Sequence, residues 1–258
     1  MRSLSWIAVL FTGVVLFYTA PSLPPIGDPE SPASSHVSPY YIENSVSDMA
    51  TPNLVTTVVT DYRGYDTLGE TTVIMTAGLA CLLILGFWTP MRRHPTETDR
   101  LSFGSPVLDA AARLLVPYIL LFALYVLFHG HHSPGGGFQG GTLLAAGVIL
   151  VRLVRGRDCG WGVDREQAVR LACSGAFLYY AVGLITMLMG HLFLDYSKLP
   201  LPLTAAMRRN MGILGVEIGV TVAVAGTMIL IFDCLHATPH EDREAEVSAE
   251  RAGAEGHT

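Results

Sequence analysis

Three clusters of residues combine unusual types with unusual spacing. The first is Glu217, inside the apolar run Gly212-Ile213-Leu214-Gly215-Val216-Glu217-Ile218-Gly219-Val220. A carboxylate surrounded by hydrocarbon costs about 2.5–3.5 kcal/mol or more unless it is paired, protonated or wetted, so Glu217 reads as facing a protein interior or water. Gly212, Gly215 and Gly219 surround it, and Gly215–Gly219 is a GxxxG pair. The expectation is a helix that packs closely on the side near the charge, its partner being His191 or a residue of another subunit.

The second cluster is His129-Gly130-His131-His132-Ser133-Pro134-Gly135-Gly136-Gly137-Phe138-Gln139-Gly140-Gly141. Three consecutive glycines permit backbone angles that other residues resist, and Pro134 fixes φ and removes a donor. Gly137, Gly141 and Ala145 recur every four residues, a small-residue face that admits a neighbouring backbone. Phe138, the first bulky residue after the turn, is placed to wedge the point where the chain re-enters the bilayer. His129 and His131 invite a metal reading, but the loop offers no acidic or thiol partner, so a structural or proton-handling role is preferred and no metal site is assigned. The glycines lack the GK[ST] ending of a phosphate loop. Ser133 has no GxSxG context, and no nucleophile–base pair can be assigned, so no catalytic residue is expected.

The third cluster is Asp61-Tyr62-Arg63-Gly64-Tyr65-Asp66-Thr67-Leu68-Gly69-Glu70. Asp61, Arg63 and Asp66 can form a local ion-pair knot. Glu70 is expected at the N-terminal end of a span, where the helix dipole favours a carboxylate. Capping alone accounts for it, yet a carboxylate at a membrane entrance is also what a cation or proton path uses. Glu70, Glu217, Asp66, His129 and His131 are therefore the ion-path candidates, with a transient cation expected near Glu70 or Glu217. Pro134, Gly135, Gly136, Gly137, Phe138 and Gly141 form the structural or gating motif.

The elements that must position these residues are membrane helices. The 258 residues are 50% hydrophobic and 15% charged, with a net charge of −6 and a mean hydropathy of +0.42. Soluble domains carry about 25% charged residues, so the chain is short of polar surface. The composition excludes a disordered protein, and the acidic balance argues against nucleic-acid binding. Four cysteines, Cys81, Cys159, Cys173 and Cys234, show neither CxxC nor zinc spacing.

A spanning helix needs roughly 20 mostly apolar residues. Six stretches qualify: Leu4–Ala20, Thr71–Thr89, Asp109–His129, Phe138–Val154, Gln167–Phe193 and Met211–His236. The first reads as an uncleaved anchor, because Tyr18 sits where signal cleavage wants a small residue and Pro21 follows. The fold class is an all-α polytopic membrane protein of about six transmembrane helices. Orientation follows from Lys and Arg in short loops. With the N-terminus inside, the cytoplasmic segments hold Arg2, Arg92, Arg93, Arg100, Arg152, Arg155, Arg157 and Arg165, while the other side holds Arg63, Lys198, Arg208 and Arg209. Both termini are expected in the cytoplasm.

Pro21–Ala50, rich in Pro and Ser, reads as an external irregular loop, and Asn53–Tyr62 as a segment lying in the membrane interface. The expected organisation is a two-span segment over 1–90, a cytoplasmic linker over 91–107, a four-span domain over 108–236 and a charged tail over 237–258.

The sequence HGHHSPGGGFQGG of His129–Gly141 closely resembles the signature of the B subunit of Mrp-type multisubunit Na⁺/H⁺ antiporters, and the likeness runs from about Leu108 to Asp233. The closing Gly215–Val220 looks like that family's last helix. Val59–Glu70 resembles the C-terminal end of the large A subunit of the same antiporters, a segment that is also a small separate subunit in membrane-bound hydrogenases. Pro21–Ala50 has no evident counterpart there.

The resemblance implies a fusion of two neighbouring Mrp pieces in a bacterial or archaeal plasma membrane, within a hetero-oligomer of antiporter subunits. The B-type subunit is implied to have no cofactor and no activity by itself, and to help assemble the sodium module. Pro134 and Phe138 match the functionally sensitive positions of its signature, and Glu70 the acidic residue that ends the A-like motif. The leading expectation is a non-catalytic subunit handling Na⁺ and H⁺ in the lipid bilayer. Two others stand beside it: the same module in a redox-driven complex such as a membrane-bound hydrogenase, and a purely structural scaffold.

Overall fold

A computed structural model of the chain describes residues 2–86, 106–155 and 163–236. The expected linker and tail, with Arg92, Arg93, Arg100, Arg157 and Cys159, lie wholly or largely outside them. Among the described residues every regular element is helical, and six helices are long and apolar enough to cross a membrane: Ser5–Ser22, Gly64–Leu85, Pro106–His129, Gly137–Arg155, Arg165–Leu188 and Ala205–Leu235.

The chain divides into two compact units, Met1–Asn44 and Ser45–Thr258. In the first, helix α1 (Arg2–Thr19) ends in a 3-10 turn at Ala20–Ser22, where Pro21 stops the helical ladder. Pro21–Ala50 is not an irregular loop throughout. A wide turn at Ala33–Val37 leads into helix α2 (Ser38–Met49), which crosses the unit boundary. Its Ser- and Pro-rich start hides the helix from composition, while Ser45 and Met49 are buried.

The second unit is built around one long helix. Short α3 (Leu54–Thr57) runs through a single wide turn, Val58–Tyr62, to α4 (Gly64–Gly86). Then follow α5 (Pro106–His129), α6 (Gly137–Arg155), α7 (Arg165–Leu188) and α8 (Ala205–His236). Helix α8 packs against α4, α6 and α7, and α5 packs against α6. A central helix with protein on several sides needs no polar face, which is why α8 reads as apolar all round.

Several boundaries differ from expectation for identifiable reasons. Helix α4 begins at Gly64, seven residues early, so Asp66 occupies its first turn and Glu70 is its seventh residue. Helix α7 ends at Leu188 because Gly190 turns left-handed at φ 81°, and the Phe193 ring folds back onto Gly183. It starts with a capping box: the Asp164 side chain accepts from Gln167 N (2.8 Å), and the Gln167 side chain accepts from Asp164 N (3.0 Å). Helix α8 starts at Ala205, six residues early, after Thr204 takes the Met207 N–H at 3.4 Å.

Candidate functional site

The glycine-rich turn between α5 and α6 is fixed by close approach on every side. Gly136 adopts φ 128°, a left-handed angle that favours glycine, and its N–H donates to Val126 O at 3.2 Å. A Cβ on Gly135 would lie 2.5 Å from Val126 O, one on Gly137 2.5 Å from the backbone O of Glu217, and one on Gly141 2.7 Å from Thr221 O. Helix α6 therefore meets α8 backbone to backbone, and Thr221 Oγ donates to Gly137 O at 3.1 Å.

That approach delivers the turn to Glu217. The carboxylate is 2% exposed and faces His131, itself 6% exposed, with Nε2 3.3 Å from Oε2. Neither of those two atoms has an aligned hydrogen bond. A Cβ on Gly136 would sit 3.1 Å from Glu217 Oε1 and 3.5 Å from Gln139 Oε1. The arrangement can hold a proton between carboxylate and imidazole. With both groups deprotonated it carries one buried negative charge.

Two expectations about Glu217 are corrected here. Its partner is His131, whereas His191 is exposed. The Gly212–Gly215–Gly219 face does not lie beside the charge. Gly219 meets Gly175 and Tyr179 of α7 and Gly212 meets Tyr196, because two positions along a helix turn a side chain through roughly 200°.

A third set of contacts comes from upstream. Asn53 and the short helix it caps hold the turn: Asn53 Nδ2 donates to Gly130 O (2.7 Å) and Ser133 O (2.8 Å), and Asn53 N donates to His131 O (3.1 Å). Thr56 Oγ donates to Gly130 O at 2.8 Å. Asn53–Tyr62, expected in the membrane interface, turns one face into the bundle and leaves Val55 and Val59 exposed on the other. Its Thr56, Thr57 and Thr60 are buried, and Tyr196 of the loop before α8 donates to Thr60 O (3.0 Å) while Tyr179 donates to Gly64 O (2.8 Å). The alternation of Val and Thr signals a segment with two unlike faces. Nothing in it identifies Asn53, whose partners lie 77 and 80 residues away.

The remaining expected site residues are spread out. Glu70 is exposed on α4, and as the seventh helical residue it is no cap of the first turn. Asp66 is exposed and pairs with Arg63 at 2.5 Å. His129 stacks on Tyr125 with ring centroids 4.7 Å apart and touches His132, so it does not converge with His131. Pro134 is exposed in the turn, and Phe138 packs half-buried against the cluster of Tyr179, Val216 and Val220. Among the described residues no three His, Cys, Asp or Glu side chains come together as metal ligands.

Asp61 stays outside the Arg63–Asp66 pair. Its Oδ2 is buried without a hydrogen-bond partner. Burial pushes its pKa up to about 6, with Arg209 opposing and Asp195 and Asp48 reinforcing the shift. At the far end of the bundle, Arg152 (6% exposed) is hydrogen-bonded and ion-paired with Asp233 (1% exposed) and also donates to Val163 O. Arg152 reads in the sequence as one more loop cation. Asp233, at the end of an apolar run, carries the only local hint of a buried pair.

Comparison with known proteins matches residues 107–230 to the family described as a domain related to the MnhB subunit of Na⁺/H⁺ antiporter, and residues 29–100 to that described as the E subunit of MBH. The two matched stretches follow one another along the chain, residues 29–100 resembling the E subunit of MBH and residues 107–230 the MnhB-related domain. The match over residues 29–100 includes most of Pro21–Ala50, the stretch without an evident counterpart in the sequence.

An uncharacterised protein of Methanocaldococcus jannaschii is 28% identical over 174 residues, 63% of this chain and 66% of its own length. A probable K⁺/H⁺ antiporter A/B subunit of Rhizobium meliloti is 25% identical over 75% of this chain but only 22% of its own length. The B subunit of the Na⁺/H⁺ antiporter of Bacillus subtilis is 28% identical over 47% of this chain and 91% of its own. The chain thus spans less than two thirds of the first two relatives.

Two solved structures resemble the fold at a TM-score of 0.63. A chain of the Mrp complex from Dietzia sp. DQ12-45-1b is 29% identical, with 93% of this chain and 26% of that one covered. A chain of the membrane-bound sulfane sulfur reductase, an archaeal respiratory membrane complex, is 27% identical, with 91% and 98% covered. With its six apolar helices, the chain is a multi-pass membrane protein.

Proposed function

We propose that this chain is a non-catalytic subunit of a multisubunit cation/proton antiporter in a bacterial or archaeal plasma membrane, with both termini cytoplasmic. The observation that carries the reading is the buried His131–Glu217 pair at 3.3 Å, unaligned and held where the MBH-related region, the glycine turn and α8 meet. A carboxylate that can exchange a proton for a monovalent cation couples the two movements. Glu70, exposed on α4, presents a second carboxylate to a neighbouring subunit. The family matches of both regions and the names of the relatives support the choice of Na⁺ or K⁺ as the ion.

A second reading has its own support. The chain covers 98% of a chain of the sulfane sulfur reductase complex, which favours the same module working under redox drive.

The test is cation-dependent ΔpH in inverted vesicles carrying the whole assembled complex, with Na⁺ or K⁺ added, beside native gels. Glu217→Gln is expected to lose transport roughly tenfold or more with assembly kept, on the scale of a lost proton-transfer group. Glu70→Gln is expected to lose it less completely. Wild-type rates in both variants would leave the scaffold reading. Transport that needs an electron donor to the complex would favour the redox-driven one.

A further inference from the structure

We propose that Asn53 is a positioning residue for the buried pair, a latch through which the MBH-related region sets the distance between His131 and Glu217. The proposal rests on the reading of that pair as the ion-handling site.

The turn that carries His131 has glycine at 130, 135, 136 and 137 and is poorly constrained by its own side chains. His131 Nε2 has no aligned hydrogen bond, so its approach to Glu217 is set by the backbone that carries the ring. That backbone is gripped at three places by one residue. Asn53 donates to Gly130 O and Ser133 O from its side chain and to His131 O from its main chain, which brackets the histidine on both sides.

The amide is oriented unambiguously by its other end. Asn53 Oδ1 takes the Val55 N–H at 3.1 Å as the N-cap of α3, so Nδ2 must face the turn. Thr56, one turn on, adds a fourth hydrogen bond to the turn by donating to Gly130 O. A carboxylate in place of the amide has the same shape, keeps the cap, and sets an acceptor against two carbonyl oxygens. Of the neighbouring titratable groups of the turn, His129 stacks on Tyr125 and His132 lies tilted against His129, leaving Glu217 as the charge that faces His131. Asn53 touches neither Glu217 nor, on this reading, the ion, so its effect passes through the geometry of the turn.

The experiment compares wild type, Asn53→Asp, Asn53→Ala, Thr56→Ser, His131→Gln and Glu217→Gln as whole complexes in inverted vesicles. Cation-dependent ΔpH is measured across pH, with native gels for assembly. Asn53→Asp is expected to assemble, to transport roughly ten- to a hundredfold more slowly, and to shift the pH profile in the same direction as His131→Gln. Thr56→Ser keeps the hydroxyl donor to Gly130 O and is expected to move the profile less than Asn53→Asp. If Asn53→Asp does not assemble, Asn53→Ala decides by the same profile.

An assembled Asn53 variant with wild-type rate and profile would overturn the proposal. So would failure of both variants to assemble, which would make Asn53 a residue of the fold alone. Wild-type transport in Glu217→Gln would instead remove the reading of the pair itself, an outcome read from a separate variant.

Discussion

Helix α8 carries two buried carboxylates, Glu217 and Asp233, sixteen residues and so roughly 24 Å apart. Each faces a basic side chain delivered by the α5–α6 part of the bundle, yet the two pairs are built differently. Asp233 is hydrogen-bonded to Arg152, which also holds Val163 O, a fixed guanidinium fork locked to both. Among the described residues Glu217 has only the imidazole of His131 at 3.3 Å, without alignment, and glycine backbone around it. An arginine never gives up its proton, whereas an imidazole does so near neutrality. One end of the bundle is therefore suited to holding helices together and the other to changing state.

The largest effect that would break this contrast is at the holding end. Asp233→Ala leaves the Arg152 guanidinium buried without its carboxylate, which is expected to destabilise the complex by about 3–5 kcal/mol. On native gels assembly should be lost or strongly reduced. Normal assembly and an unchanged melting temperature would show that the pair holds nothing.

Next in size is the approach of α6 to α8. Gly137→Ala places a Cβ 2.5 Å from Glu217 O and 2.9 Å from Val220 Cβ, contacts that only a backbone shift relieves. A loss of about 1–3 kcal/mol is expected, read as a lower melting temperature of the detergent-solubilised complex.

The smallest effect concerns Asp61. Its pKa of about 6 lies above the ordinary value of 3.8, so its ionised form weakens the fold above pH 6 and the penalty fades as pH falls toward 4. Asp61→Asn is thus expected to raise the melting temperature at pH 7.5 and to match wild type near pH 4. A difference that grows on acidification would contradict the assignment.

The spans and the glycine turn were legible because both are local signals: runs of apolar residues, and a contiguous motif. The helix over Ser38–Met49 was not, since its Ser, Pro and Asn content hides a face that only Ser45 and Met49 bury. Within the site, Glu217 stood out by its apolar surroundings. Its partner did not, because a histidine in a turn gives no sign of which distant helix it will meet. Asn53 gave no signal, since its partners lie 77 and 80 residues away, and Arg152 looked like a topological charge. What the sequence hides here is the pairing of elements distant along the chain.

The central claim is that the His131–Glu217 end works and the Arg152–Asp233 end holds. It is tested most directly by replacing each charged pair without leaving an orphan. Arg152→Met combined with Asp233→Leu exchanges a buried ion pair for apolar bulk, a change that is often neutral or stabilising. That double variant and Glu217→Gln are compared for cation-dependent ΔpH at matched amounts of assembled complex. The account predicts near wild-type transport for the double variant and a loss of roughly tenfold or more for Glu217→Gln. Full transport by Glu217→Gln, or its loss in an assembled Arg152→Met/Asp233→Leu complex, would contradict it.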